Sequence, residues 1–282
     1  MVLGTAQLGL DYGLTNKRGK PSMHEVNSLL RFAKNNEITK LDTAAAYGNS
    51  EEMIGLSKFR GVFDVVTKFR PSQDSKFQIQ KHLDNLRAES LYAILFHTSH
   101  DLCSEEGQRD LEVLRWCKKN GLVKKIGYSA YTLEDIRKVE NLFPDVDLLQ
   151  IPANPLSQEV LTSASTSWLK SQGTEVHVRS VFLQGVLLQG DDFLLPQQLN
   201  PLRQATKELS DKAREMEITR MQLILGAFKD HDVADGVIIG TGYKNELIEV
   251  VESWNDAVRV EINLKSTQHI GSEALDPRTW KL

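Results

Sequence analysis

Short apolar segments and amphipathic helical segments alternate along almost the whole chain. The apolar segments are rich in Val, Ile and Leu, and most of them lack the alternation of a half-exposed strand. This is the pattern of parallel strands that are covered on both faces. We therefore predict eight strands, at residues 2–6, 38–42, 64–67, 92–96, 125–128, 148–151, 175–179 and 236–239.

Helical periodicity fills the intervals between these strands. Two sets of apolar residues follow the spacing of one helix face, namely Val26, Leu29, Leu30 and Ala33, and Leu247, Val250, Val251 and Trp254. The segment from Thr132 to Asp135 resembles a capping box that opens a helix. Two further helices, at about 201–216 and 219–229, are predicted between the last two strands.

Eight strands that are each followed by a helix predict an α/β fold, a (β/α)₈ TIM barrel, as one domain over residues 1–282. A doubly wound open sheet is the alternative on pattern alone. Turn-forming residues predict mobile segments at 184–200, which includes Gly190, Asp191, Asp192 and Pro196, and from about 255 to the end. This tail is expected to pack over or beside the barrel.

Composition narrows the class of protein. The 282 residues are 40% hydrophobic and 26% charged with a net charge of −4, which is ordinary for a globular protein. No basic cluster suggests nucleic acid, and no apolar segment reaches the ~20 residues that span a bilayer. Two isolated cysteines, Cys103 and Cys117, and an N-terminus without signal-peptide features lead us to expect a cytoplasmic protein without metal.

Candidate chemistry lies at the ends of three consecutive predicted strands. Asp42 ends the second strand, Lys68 follows the third and His97 follows the fourth, while Tyr47 lies in the loop after the second. Asn49 is expected to cap the next helix. Adjacent parallel strands are ~4.8 Å apart, so these side chains should converge on the rim where barrel enzymes hold their sites.

These four residue types suit proton delivery to an oxygen. The Lys68 ammonium is expected to lower the pKa of Tyr47, which is otherwise too high for easy donation at neutral pH. Asp42 can hold Lys68 in place, and neutral His97 can donate a hydrogen bond to a carbonyl oxygen. This arrangement would protonate an oxygen while a hydride reaches its carbon.

At this point the sequence resembles the aldo-keto reductase family. The similarity covers most of the chain and includes LGTAQLG, LDTAAAYGNSEEMIG, VVTKF, ILFH, KIGYSAY, DLLQIPANPLSQ, VRSVFLQG and VIIGTG. The catalytic tetrad of the family corresponds to Asp42, Tyr47, Lys68 and His97. The resemblance implies a TIM barrel, NADPH (with NADH possible) extended across the barrel mouth, and reversible carbonyl reduction.

The resemblance also implies cofactor contacts. Ser129 and Gln150 are expected beside the nicotinamide amide, and Arg179 occupies a position where many members stack an aromatic ring. Lys244 and Tyr243 are expected to face the 2′-phosphate, which favours NADPH, and Glu249 to approach the adenine. The other expected contacts are Gly4, Thr5, Ala6, Ser180, Phe182, Leu183, Gly185, Gly240, Thr241 and Gly242.

The sequence departs from the family in several respects. It begins almost at the first strand, without the hairpin that plugs the barrel floor in the family, so other residues are expected to close that floor. Ala130 replaces an Asn after the fifth strand, and Val250 replaces the Asn of a Glu-Asn pair.

Two other functions fit part of the pattern. Lys68 could form a Schiff base, as in lysine-dependent aldolases, although Asp42 would keep it protonated. The second alternative is a nucleotide-sensing module with the same fold and little turnover. We expect a monomer or weak oligomer that acts on a small carbonyl substrate of a polar or sugar-like kind, with aromatic walls from Tyr128, Tyr131, Phe69 and Trp280.

Overall fold

Eight parallel strands close into one barrel, in which each strand pairs with the next along the chain and β8 pairs with β1. The structure, a computed structural model, describes residues 1–72, 74–190 and 193–280. The strands are β1 (Val2–Gly4), β2 (Lys40–Asp42), β3 (Asp64–Phe69), β4 (Leu91–Phe96), β5 (Val123–Ser129), β6 (Leu148–Pro152), β7 (Glu175–Arg179) and β8 (Gly236–Gly240). The predicted barrel is confirmed, and the open sheet is wrong.

Helices connect successive strands and surround the barrel. They are α1 (Ala6–Gly9), α2 (Met23–Asn35), α3 (Ser50–Leu56), α4 (Ser75–Leu86), α5 (Ser99–Leu102), α6 (Glu105–Lys119), α7 (Leu133–Val139), α8 (Ala164–Ser171), α9 (Leu202–Glu215), α10 (Arg220–Gly226), α11 (Lys244–Asp256) and α12 (Ser272–Leu275). Short 3₁₀ turns occur at Val186–Leu188, Gln197–Leu199, Lys265–His269 and Pro277–Thr279. None of the helices in the described part of the chain is long and apolar enough to cross a membrane.

The local signals of the sequence are mostly confirmed. Thr132 and Asp135 form the expected capping box at the start of α7. Asp191 and Asp192, in the loop predicted to be mobile, lie outside the described residues. Helix α3 begins where expected, but Asn49 makes no side-chain capping bond. The expected cap is therefore wrong: Ser50 turns inward instead, and its hydroxyl donates to the Thr5 carbonyl at 2.8 Å.

The apolar core lies mainly between the strands and the surrounding helices. Leu29 and Leu30 of α2 and Ile94 of β4 are completely buried there. A smaller apolar cluster fills the middle of the barrel and consists of Val66, Ala93, Leu95 and Leu148. A packed barrel interior of this kind leaves room for polar chemistry only at its two ends.

A polar cluster lies at the floor of the barrel, at the amino ends of the strands. Glu175 accepts hydrogen bonds from Tyr92 Oη at 2.5 Å and Lys125 Nζ at 2.6 Å, and its other oxygen is bonded to His177 Nε2 at 2.7 Å. Lys40 lies 3.7 Å from the same carboxylate. This cluster, which we call the floor cluster, joins residues from β2, β4, β5 and β7. It lies at the end of the barrel that the family closes with a hairpin, which this sequence was expected to lack.

Candidate active site

Asp42 and Lys68 form a buried ion pair at the carboxyl ends of β2 and β3. Lys68 is only 2% exposed, and its Nζ donates to the two Asp42 oxygens at 2.8 and 2.7 Å and to the Thr43 carbonyl at 3.0 Å. All three ammonium hydrogens are thereby used. Burial lowers the pKa of Lys68, while the Asp42 carboxylate opposes that change. The ion pair is therefore held in place at the bottom of the barrel mouth, and its two opposite charges compensate each other.

Tyr47 lies above this pair, in the loop after β2. The Lys68 Nζ is 5.1 Å from the centroid of its ring. Among the described residues, no group forms a hydrogen bond with the Tyr47 hydroxyl. Burial and then the Asp42 carboxylate raise the pKa of Tyr47. The expected lowering by Lys68 is therefore wrong, because burial and the nearby Asp42 carboxylate raise the pKa of Tyr47 by more than the ammonium lowers it.

His97 follows β4 and lies edge-on to Tyr47, with ring centroids 6.3 Å apart and an interplanar angle of 84°. Burial, together with the positive charges of Lys68 and Arg70, lowers the pKa of His97 to about 4. At neutral pH the imidazole is therefore uncharged, as the sequence suggested, and it can donate through one nitrogen.

A single cavity of about 530 Å³ connects these residues. Asp42, Tyr47, Lys68 and His97 all border it. The positions expected to contact a cofactor border it as well, namely Gly4, Thr5, Ala6, Ser129, Gln150, Arg179, Ser180, Phe182, Gly185, Gly240, Thr241, Gly242 and Glu249. The closed barrel places them around one mouth, although the expected cofactor positions lie at or after the ends of five different strands, β1, β5, β6, β7 and β8.

Gln150, at the end of β6, is completely buried, and only one of the two polar atoms of its side-chain amide has a hydrogen-bond partner among the described residues. Its amide nitrogen donates to Asp42 Oδ1 at 2.7 Å. Because an ionised carboxylate only accepts, this contact fixes the orientation of the amide. Among the described residues, the buried Gln150 Oε1 has no hydrogen-bond partner, and Gln150 borders the cavity. An unpaired buried acceptor is costly to a fold, so it marks a place where a donor of a ligand can bind.

Arg179, the last residue of β7, borders the same cavity. Its guanidinium donates to Ser129 Oγ at 3.3 Å and to the Ala130 carbonyl at 3.3 Å, and it lies 3.9 Å from the centroid of the Tyr131 ring. Arg278 from the tail stacks on Tyr131 at 3.3 Å. The tail therefore packs over the mouth, and Tyr131 lies against two guanidinium groups.

Two expected cofactor positions lie outside the cavity. Leu183 is completely buried, and its side chain belongs to the apolar core. Lys244 is the first residue of α11, and its Nζ lies 5.9 Å from the centroid of the Phe32 ring on the neighbouring helix. Neither side chain borders the cavity, so the expected cofactor contacts of Leu183 and Lys244 are wrong. The Leu183 side chain packs in the core instead, and the Lys244 side chain packs against α2.

Three of the four aromatic residues that we expected to form substrate walls do not border the cavity, so these three expectations are wrong. Tyr128 and Phe69 are 1% exposed and belong to the core. Trp280 packs against the core and does not border the cavity, whereas Tyr131 does.

Comparison with known proteins agrees with this geometry. The family model described as "Aldo/keto reductase family" matches residues 1–262. The chain belongs to the aldo/keto reductase family. No curated protein matches the chain significantly.

Solved structures of the family have the same fold. An aldo-keto reductase from Bacillus halodurans in its holo form is 16% identical with a TM-score of 0.71, and the match covers 95% of this chain and 90% of that one. An aldo/keto reductase from Klebsiella pneumoniae in complex with NADP and acetate is 17% identical with a TM-score of 0.66 and the same coverage. At such identities, the likeness shows the fold alone.

Several cavity residues of this family member were missed by sequence reasoning. Gln7 and Tyr12 follow β1, Glu246 lies in α11, and Pro277 and Arg278 belong to the tail. Gln7 Oε1 has no hydrogen-bond partner and lies 3.0 Å from where a Cβ on Gly240 would be. The end of β1 was a usable signal for Gln7, whereas nothing in the tail pattern pointed to Arg278.

A buried network holds the loop that carries Tyr47. Glu51, the second residue of α3, is 3% exposed and accepts hydrogen bonds from Thr67 Oγ1 at 2.6 Å and Asn85 Nδ2 at 3.3 Å. It also contacts His82 Nδ1 at 2.7 Å. Thr67 precedes Lys68 in β3, so this network ties the start of α3 to the strand that carries the lysine.

Proposed function

We propose that this aldo/keto reductase reduces an aldehyde or ketone to an alcohol with a reduced nicotinamide dinucleotide, with Tyr47 as the proton donor. The family acts on small carbonyl compounds with such cofactors. The single observation that carries the proposal is the buried Asp42–Lys68 pair beneath a phenol and an uncharged imidazole that share one cavity.

The residues around the cavity fit a nicotinamide dinucleotide. The unpaired Oε1 of Gln150 can accept a hydrogen bond from a carboxamide NH₂ group. Gly4 and Gly240 leave the backbone accessible at the ends of β1 and β8. The structural neighbour from Klebsiella pneumoniae binds NADP. When bound, a reduced nicotinamide supplies a hydride to the carbonyl carbon of the substrate.

Tyr47 and His97 are the two groups that act on the carbonyl oxygen of the substrate. Tyr47 remains protonated well beyond neutral pH, so it is always available to donate its hydroxyl proton to that oxygen. The neutral imidazole of His97 donates a hydrogen bond to the same oxygen and orients it. Lys68 lies below Tyr47 and offsets part of the negative charge that the phenol acquires when its proton leaves.

The walls of the cavity favour a polar carbonyl substrate. Tyr12, Tyr131, Gln184 and Arg278 border it near Tyr47 and His97 and present hydroxyl, amide and guanidinium groups. Hydroxyl-bearing compounds, such as sugars, match these donors and acceptors.

The geometry of Lys68 favours reduction over Schiff-base chemistry. A Schiff base requires a neutral amine with a free lone pair. Here the three donors of the ammonium are directed at Asp42 and the Thr43 carbonyl. Forming an imine would break this pair and leave the buried Asp42 carboxylate without its cation.

A panel of aldehydes and ketones tests the proposal, with oxidation of NADH and NADPH followed by absorbance. We expect turnover with at least one polar carbonyl compound. Tyr47→Phe should lower kcat by about 10²–10⁴-fold, the usual contribution of a general acid. Dinucleotide binding should change little, because the hydroxyl serves the transition state. Unchanged turnover in Tyr47→Phe would refute the role of this residue.

A further inference from the structure

The end of the cavity between β8 and α11 is acidic. Glu246 and Glu249 border it beside Thr241 and Gly242. The cationic residues that line the cavity are Lys68, Arg179 and Arg278. Lys68 is paired with Asp42, and the guanidinium groups of the two arginines stack on Tyr131, which follows β5, although Arg179 itself ends β7, the strand next to β8. Within the described residues, neither glutamate forms an ion pair.

Glu246 also occupies the donors that could hold a phosphate here. Its Oε2 accepts the Thr241 hydroxyl at 2.5 Å and the Gly242 N–H at 3.3 Å. Backbone N–H groups and hydroxyls at the start of a helix are ready ligands for phosphate. A carboxylate of the chain already satisfies two of them, and its charge disfavours a second anion.

The nearest basic side chains are directed elsewhere. Lys244 lies against Phe32, outside the cavity. Arg18 stacks on Tyr243, with its Cζ 3.4 Å from the ring centroid, and forms an ion pair with Glu25 at 3.4 Å. It does not border the cavity.

From these charges we infer that the site takes NADH in preference to NADPH, with Glu246 and Glu249 as the residues that discriminate. The inference rests on the proposed function, with the adenosine placed at the α11 end of the cavity. There, the 2′-phosphate of NADPH meets two carboxylates without a compensating cation, whereas the 2′-hydroxyl of NADH can donate to a carboxylate oxygen. The expectation of NADPH depended on Lys244, which lies outside the cavity, and on Tyr243, whose hydroxyl donates to the Arg18 and Gly19 carbonyls.

Calorimetric binding of NAD⁺ and NADP⁺ tests this without any substrate. We expect the unaltered chain to bind NAD⁺ at least about tenfold more tightly than NADP⁺ at low salt. The Glu246→Gln/Glu249→Gln protein should bind NADP⁺ about tenfold more tightly than the unaltered chain, and NAD⁺ within about threefold. Both carboxylates are exposed, so the discrimination should shrink as salt increases.

Two further variants keep the test interpretable. Glu249 makes no hydrogen bond within the described part of the chain, so Glu249→Gln alone should fold normally and retain part of the effect. Glu252→Gln is the matched control, because Glu252 is an exposed residue of the same helix outside the cavity. It should leave both affinities unchanged.

The outcomes separate this inference from the proposed function. If neither dinucleotide binds, the proposed function fails and the inference fails with it. If NADP⁺ binds as tightly as NAD⁺ or more tightly, and the glutamate variants do not alter the ratio, only the inference is overturned. A preference for NADP⁺ that disappears in Arg18→Gln would also overturn it, because Arg18 would then reach the phosphate.

Discussion

The two ends of the barrel contain the same kinds of side chain. The mouth has a carboxylate, a tyrosine, a lysine and a histidine in Asp42, Tyr47, Lys68 and His97. The floor cluster has Glu175, Tyr92, Lys125 and His177. The mouth set comes from the consecutive strands β2, β3 and β4 and their loops, and the floor set comes from β4, β5 and β7. Both sets include a lysine within 2.8 Å of a carboxylate.

The two sets differ in which groups remain unpaired. On the floor, the tyrosine, lysine and histidine all bind the one carboxylate of Glu175. Although burial opposes ionisation, these hydrogen bonds hold the pKa of Glu175 well below its ordinary value. At the mouth, the lysine and the Gln150 amide bind the carboxylate, and the phenol and imidazole border a cavity. Hydrogen bonds among buried groups stabilise a fold, whereas unpaired groups beside a cavity are available to a substrate.

Paired lysine substitutions should separate the two ends most strongly. Lys68→Met leaves Asp42 buried without its cation, so we expect a loss of about 3–5 kcal/mol of unfolding free energy. Its kcat should fall by at least about 10²-fold. Lys125→Met should leave kcat unchanged and cost about 1 kcal/mol, because Lys125 is partly exposed and Glu175 keeps Tyr92, His177 and Lys40.

Urea denaturation and steady-state kinetics of the two lysine variants provide the measurements. Equal losses of kcat in Lys68→Met and Lys125→Met would contradict the division between the two ends.

Paired tyrosine substitutions sharpen the comparison. Tyr92→Phe removes a hydrogen bond to a charged group, so we expect a loss of about 1.5–3 kcal/mol in unfolding free energy with kcat preserved. Tyr47→Phe removes no hydrogen bond within the described protein, so its stability should stay within about 0.5 kcal/mol while kcat falls. Thermal and urea unfolding measure both, and a larger loss of stability in Tyr47→Phe would reverse the assignment.

The pH dependence gives the smallest effect. His97 has a pKa of about 4, and the pKa of Tyr47 is raised, so both stay in their neutral forms across the neutral range. We expect kcat for reduction to be flat from about pH 5 to 9 at saturating substrate, without the inflection near 6.5 of an ordinary histidine. An inflection near 6.5 that disappears in His97→Gln would show that the imidazole titrates normally.

The same lowered pKa predicts how His97 affects stability. Between about pH 6.5 and 4 the unfolded chain binds a proton at His97 that the folded chain does not, so unfolding free energy decreases as the pH falls through this range. His97→Gln should remove that part of the slope in a series of urea titrations. A slope that is the same in both proteins would contradict the depressed pKa.

The sequence by itself determined the barrel and the positions of the four residues at its mouth. Strand and helix periods are local properties of the chain. The end of one strand therefore follows the end of the previous one at a regular interval, and Asp42, Lys68 and His97 fall at neighbouring places on one rim.

Only the tertiary structure decided how these groups are charged, paired and oriented. Gln150 binds Asp42 although 108 residues separate them, Lys244 faces Phe32, and burial together with Asp42 raises the pKa of Tyr47. The floor cluster likewise joins four strands that are distant in sequence. Electrostatic and packing energies depend on distances in space, and the residue pattern of one segment does not contain the neighbours that the closed barrel brings to it.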